Sequence, residues 1–203
     1  MTQRYDVHGG VAMMRNWLDT LEAKTGRDVD GWVKLVQMKG PSGTKERREW
    51  LKREHGLGTN SAIWIVDKAE GGTDLEEGDP AKYLARASEY VEAMFAGPKA
   101  ALRPLYDRLY TLARELGDDI RISPAKTIVP IYRHHVIAQI KPTTRTRIDL
   151  GLALGDTPAD GRLIDTGGYA KKDRITHRIA IAQAEDIDGF VKKWLRVAYD
   201  ADR

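Results

Sequence analysis

Residues 145–152 read Arg-Thr-Arg-Ile-Asp-Leu-Gly-Leu, and their strict alternation constrains this chain more than any other stretch. Successive side chains point to opposite faces of a strand. Thr146, Ile148, Leu150 and Leu152 therefore turn one way, and Arg145, Arg147, Asp149 and Gly151 the other. A strand with one apolar and one charged face belongs to a half-buried antiparallel sheet, which needs a cover. The sequence supplies one over residues 186–199, where Ile187, Val191, Trp194, Leu195 and Ala198 fall on a single helical stripe. Glu185, Asp186 and Asp188 are expected in its first turn, where negative charge suits the helix dipole.

Further strands are expected over 120–123, 127–132, 136–141 and 175–182, with Arg133-His134-His135 as a hairpin turn. Pro130 predicts an edge or bulged strand, because it cannot donate to a ladder. Residues 155–174 hold four glycines, Pro158 and the run Lys171-Lys172-Asp173-Arg174, and read as a long loop. The N-terminal part is helical. Met13, Met14, Trp17, Leu18 and Leu21 recur at helical spacing until Gly26, and Trp32, Val33, Leu35 and Val36 mark a second helix capped by Asp28 or Asp30. Thr44 is the expected cap of a third helix, and Ala62, Ile63, Ile65 and Val66 mark a short apolar fourth. Pro80 starts a helix to about residue 95, and another reaches Leu116, with Pro104 kinking it or marking its start. The expected architecture is α+β. A helical N-terminal domain spans 1–69, an acidic glycine-rich linker 70–79, and a helix–antiparallel sheet–helix domain 80–203.

Charge narrows the function classes. The 203-residue chain has a net charge of only +3, but residues 120–182 carry eleven Lys/Arg against five Asp/Glu. A locally basic face attracts phosphates. The chain has no cysteine, which excludes disulfides, thiolate catalysis and cysteine-bound zinc. No apolar run approaches the ~20 residues that span a bilayer, and the first six residues lack a signal peptide's apolar core. A cytoplasmic protein without a membrane partner is expected.

The candidate site is a set of cations and hydroxyls. Lys141, Thr143, Thr144, Arg145 and Arg147 can bind phosphate through charge-assisted hydrogen bonds, and Lys126, Arg133, Lys171, Lys172 and Arg174 extend the patch if their loops converge. The competing reading is a solvated outer strand face. His134 and His135 are adjacent and therefore a poor chelating pair, and His177 shares a face with Ile179 and Ile181, which suits a buried, partner-bonded ring. No metal, cofactor or catalytic residue is assigned. There is no phosphate-binding loop and no nucleophile elbow. The 45–66 segment mimics a helix-turn-helix in outline, but its second helix is almost wholly apolar, so a packed bundle is expected.

Two stretches carry a family resemblance. Asn16-Trp17-Leu18-Asp19-Thr20-Leu21-Glu22, then Trp50-Leu51-Lys52-Arg53-Glu54-His55-Gly56-Leu57-Gly58, resemble domain-of-unknown-function family 4287. Leu102-Arg103-Pro104-Leu105-Tyr106, Ala138-Gln139-Ile140-Lys141-Pro142-Thr143, Arg147-Ile148-Asp149-Leu150-Gly151-Leu152 and Trp194-Leu195-Arg196-Val197-Ala198-Tyr199 resemble family 5655. The resemblance implies a bacterial protein. Similar segments are attached to predicted nucleases, which implies an association with nucleic acid. The layout also resembles, distantly, frataxin-like and double-wing DNA-binding sandwiches, although an iron role would need acidic clusters near the basic sheet. The expected function is a non-enzymatic module that binds an anionic partner, nucleic-acid backbone or another polyanion. The alternative is a small-ligand-binding or protein-interaction module, and an enzyme of unassigned class is third.

Overall fold

The computed structural model describes residues 4–72 and 75–203. Residues 1–3, within the expected helical domain, and 73–74, within the expected linker, lie outside the described residues. The chain forms two compact units. One is Val7–Tyr83, and the other combines Leu84–Arg203 with residues 4–6. Among the described residues, no helix is long and apolar enough to cross a membrane.

The Val7–Tyr83 unit contains α1 (Gly9–Thr25), α2 (Val29–Lys39), α3 (Thr44–His55) and α4 (Thr59–Ala69). Its core joins Met14, Trp17 and Leu21 of α1 to Trp32 and Val36 of α2, Leu51 of α3, and Ala62, Ile65 and Val66 of α4. Trp17 and Trp32 are buried with their polar edges satisfied. Trp17 donates to the Ser61 hydroxyl at 2.9 Å and Trp32 to that of Thr25 at 2.9 Å. Asp28 caps α2 by accepting from the Gly31 amide, and Gly26 ends α1 in the left-handed conformation. Thr44 departs from its expected role. Gly43 occupies the cap position, and the Thr44 hydroxyl donates to Glu70 instead. The 3₁₀ turn Leu75–Gly78 packs on α1. There Gly78 is buried at φ +77°, where an added Cβ would sit 2.6 Å from the Arg15 backbone.

The second unit comprises α5 (Pro80–Met94) from Leu84 onward, α6 (Arg103–Arg114), six strands and α7 (Gly189–Ala201). The strands are β1 (Arg121–Ile122), β2 (Val129–Tyr132), β3 (Val136–Pro142), β4 (Ile148–Leu152), β5 (Ile164–Asp165) and β6 (His177–Ile181). They form one antiparallel sheet in the order β1-β2-β3-β4-β6-β5. The pairs Ile140↔Leu150↔Ile179 and Pro142↔Ile148↔Ile181 line up an apolar patch on one face, and each of these residues is buried. α7 lies on β3 and β4 and buries Val191, Trp194, Leu195 and Ala198.

Several details depart from the sequence expectations or decide between their alternatives. The terminal helix starts at Gly189, so Glu185, Asp186 and Asp188 precede it. Asp188 accepts from the amides of Phe190 and Val191 as the cap, and Asp186 closes a capping box in the 3₁₀ turn Ala184–Asp186. The expected loop over 155–174 contains β5 and an antiparallel bridge between Asp160 and Leu163. β2 carries Pro130 next to a register shift between Ile131 and Tyr132, and only the two-residue β1 lies outside it. Pro104 sits in the first turn of α6, so it marks that helix's start.

Residues 4–6 belong to this unit. The Asp6 carboxylate accepts from the Ile122 amide at 2.7 Å and pairs with Arg114 at 2.6 Å, while the Asp6 amide donates to the Ile122 carbonyl. The Arg4 guanidinium pairs with Asp107 and lies over the ring of Tyr110. At the other end of the chain, the buried Asp202 carboxylate accepts from the backbone amides of His134 and His135 at 2.9 and 2.8 Å. It also accepts from Arg174 at 2.6 Å. Burial opposes its charge most strongly, but the His135 amide and ring, the Arg174 charge and the His134 amide together hold its pKa below the ordinary value.

Three outcomes test this packing. Gly78→Ala should destabilise the helical unit by about 1–3 kcal/mol from backbone strain alone, read from its unfolding transition in urea. Trp194 is buried with its Nε1 unpaired. Trp194→Ala should cost about 3–5 kcal/mol, and Trp194→Phe should cost less because it removes the unpaired donor. Asp202 has a depressed folded pKa, so its contribution is present above the unfolded carboxylate pKa and is lost as pH falls through the folded value. Asp202→Asn should therefore lower the melting temperature at neutral pH, and the gap from the parent protein should close in acid.

Candidate anion-binding cleft

Three segments of the second unit converge where β3 ends. Val129 pairs with Ile140, and Lys126 and Thr127, just ahead of β2, line the same cleft as Lys141, Pro142 and Thr143. A tight turn, in which the Ala125 amide donates to the Ile128 carbonyl at 2.9 Å, holds Lys126 and Thr127 at the sheet's end. The 3₁₀ turn Gly97–Leu102 supplies Lys99, whose ammonium donates to the Pro142 carbonyl at 2.6 Å. Beyond Pro142 the chain turns tightly. The Thr144 amide donates to the Arg147 carbonyl at 3.2 Å, and the Thr146 amide to the Thr144 hydroxyl at 3.3 Å.

The result is an open cleft of about 790 Å³. Lys99, Lys126, Lys141 and Arg145 line it together with Thr127 and Thr143, over an apolar floor that includes Met94, Pro98 and Pro142. No carboxylate lines it, and none of the four cations has an ion-pair partner among the described residues. By contrast Arg114, Arg133, Arg147, Arg162, Arg174 and Arg178 of this unit are each held by a carboxylate. Gathering four like charges without compensation raises the local positive potential, which a bound anion relieves.

Of the ten residues expected from the sequence, Lys126, Lys141, Thr143 and Arg145 line this cleft. Thr144 belongs to the same turn, as a brace of its backbone. Arg147 turns to Asp149 at 3.0 Å, and Arg178 reaches the same carboxylate at 3.3 Å. Lys141 is the cross-strand partner of Asp149, but the two arginines occupy that carboxylate and leave Lys141 unpaired. Arg133 lies elsewhere. It pairs with Asp119 at 2.8 Å, donates to the carbonyls of Tyr199 and Asp202, and stacks 4.2 Å from the Tyr199 ring centroid. Arg174 is bound to Asp202 and to the Val136 carbonyl. Lys171 and Lys172 are exposed on the loop before β6. β3 separates this second group from the cleft, because Val136 and Pro142 are its two ends.

Lys99 is the lining cation that sequence reasoning missed. It sits just after the Gly97-Pro98 break, outside any periodic pattern, and only its hydrogen bond to Pro142 ties it to the sheet. The histidines take no part. His177 is buried, with one ring nitrogen 2.8 Å from the Thr176 hydroxyl and the other 2.8 Å from the Thr157 carbonyl.

Residues 91–202 match the family Domain of unknown function (DUF5655), a segment that includes all four cleft cations, and residues 13–71 match Domain of unknown function (DUF4287). No curated protein and no solved structure matches the chain. With the first match spanning more than half of its length, the chain belongs to the DUF5655 family and carries a DUF4287 segment ahead of that domain.

Proposed function

We propose that this protein is a non-enzymatic binding module for an anionic partner, and that the partner is nucleic-acid backbone seated in the cleft at the end of β3. One observation carries the reading. Lys99, Lys126, Lys141 and Arg145 converge with two threonine hydroxyls, and among the described residues no carboxylate lines the cleft or pairs with them. Ammonium and guanidinium groups make charge-assisted bonds to phosphate oxygens, and hydroxyls add weaker, directional ones. The cleft is open, as a polymer that enters and leaves it requires. The reading carries a cytoplasmic location in a bacterium, where such a partner is met.

The apolar floor of Met94, Pro98 and Pro142 favours a second reading. A cleft of this size with a few convergent polar groups also suits a small phosphorylated ligand with an apolar body.

The test is the salt dependence of binding to short oligonucleotides, followed by fluorescence anisotropy. Each phosphate neutralised contributes about 0.7–0.9 to the slope of log affinity against log salt. The triple variant Lys126→Ala, Lys141→Ala, Arg145→Ala should lose affinity and about 2–3 from that slope, with little dependence on nucleotide sequence. Arg147→Ala, which removes a cation held by Asp149, should change the slope far less. Binding of a nucleotide or sugar phosphate, with no oligonucleotide binding even at low salt, would transfer the site to the second reading.

A further inference from the structure

The loop between β5 and β6 holds a feature that the cleft does not explain. Tyr169 is 59% exposed, and its side chain has no hydrogen-bond or ring partner among the described residues. An exposed ring without a partner presents a flat π-face on which another ring can stack. The loop that carries it is firmly built. The amides of Lys171 and Asp173 both donate to the Gly168 carbonyl, that of Lys172 to the Tyr169 carbonyl, and that of Thr166 to the Thr176 carbonyl. A ring on a preorganised loop binds with little loss of conformational entropy. Beside it is a second open pocket of about 590 Å³, lined by Tyr169, Lys172, Arg174 and Thr176 among others, with Asp173 its one carboxylate. Lys171 and Lys172 have no ion-pair partner among the described residues, whereas Arg174 is held by Asp202.

Arg174 is bonded to the Val136 carbonyl, so this loop sits at the start of β3, and the cleft sits at its end. β3 has seven residues, a span of roughly 20 Å at ~3.3 Å per residue. That is about six nucleotides at the ~3.4 Å stacked spacing of one strand. Cations alone accept a duplex or a single strand equally. A bare ring accepts only an unpaired base, because the faces of duplex bases are already stacked on one another.

We infer that Tyr169 is a base-stacking contact and that the ligand of this unit is single-stranded nucleic acid, gripped by the cleft cations at one end of β3 and by Tyr169 at the other. The inference rests on the proposed nucleic-acid reading and adds the strandedness and a second contact to it.

The experiment uses the full-length protein, with anisotropy of labelled single strands of about twelve nucleotides, of the matching duplex, and of a dinucleotide too short to reach both points. Tyr169→Ala should weaken the longer single strand by about 5- to 150-fold, the range of one base–aromatic stack. The salt slope should not change, since no charge is removed, and Tyr169→Phe should retain the affinity. Duplex and dinucleotide binding should be indifferent to both variants. Unchanged single-strand affinity in Tyr169→Ala, or an equal loss for single strand and duplex, overturns the inference. If the cleft triple variant weakens binding while Tyr169→Ala does not, only this inference falls. If the parent protein binds neither form at low salt, the nucleic-acid reading falls and takes this one with it. Matching thermal melts of parent and variants would show that these exposed-site changes leave the fold intact.

Discussion

The pairing register of β3, β4 and β6 sets the position of nearly every side chain that matters in the second unit. With Ile140, Leu150 and Ile179 opposite one another, the three strands turn an apolar patch on one face inward. A slip of one residue would bring Lys141, Asp149 and Arg178 to that face and expose the isoleucines. Three ionised groups would then be buried, at a cost far above the few kcal/mol by which domains are stable. The same register places Lys141 beside Asp149, and Lys126, just ahead of β2, lines the same cleft.

Charge pairing sorts the remaining basic residues into structural and available groups. Arg114 ties residues 4–6 to β1 through Asp6, Arg133 ties the β2–β3 turn to α7 and Asp119, and Arg162 binds Asp188 at the start of α7. Each of these guanidiniums holds two segments together by several hydrogen bonds, a geometry for which arginine's planar fork is suited. Among the cations left without carboxylates, Lys99, Lys126, Lys141 and Arg145 line the cleft at one end of β3, and Lys171 and Lys172 lie on the Tyr169 loop near the other.

Asp202 shows how a buried charge is tolerated at such a junction. Two backbone amides, one imidazole and one guanidinium surround the carboxylate, so every cost of desolvation is met by a donor. The arrangement closes the β2–β3 turn and anchors Arg174 next to the loop that carries Tyr169.

Much of the architecture was legible because its signals are local. The 2.0-residue period of 145–152, the helical stripe of Val191, Trp194, Leu195 and Ala198, the Asp28 cap and the Gly26 stop all depend on neighbours within a turn or a strand. They determined an α+β chain with a helical first part and a covered antiparallel sheet. The candidate site was legible only as a composition. Arg145 and Arg147 have the same parity, yet β4 begins at Ile148. Arg147 stays close enough to the strand to reach Asp149, while Arg145 sits out in the turn and lines the cleft. Lys99 lies more than forty residues from its Pro142 partner, β5 is two exposed residues with no alternation to betray it, and the Thr44 hydroxyl is taken by a distant Glu70 while Gly43 holds the cap position. The sequence by itself determined which residues alternate, cap and stop. Only the tertiary structure decided which cations meet a carboxylate and which are left to face a ligand, because that depends on distances between segments far apart in the chain.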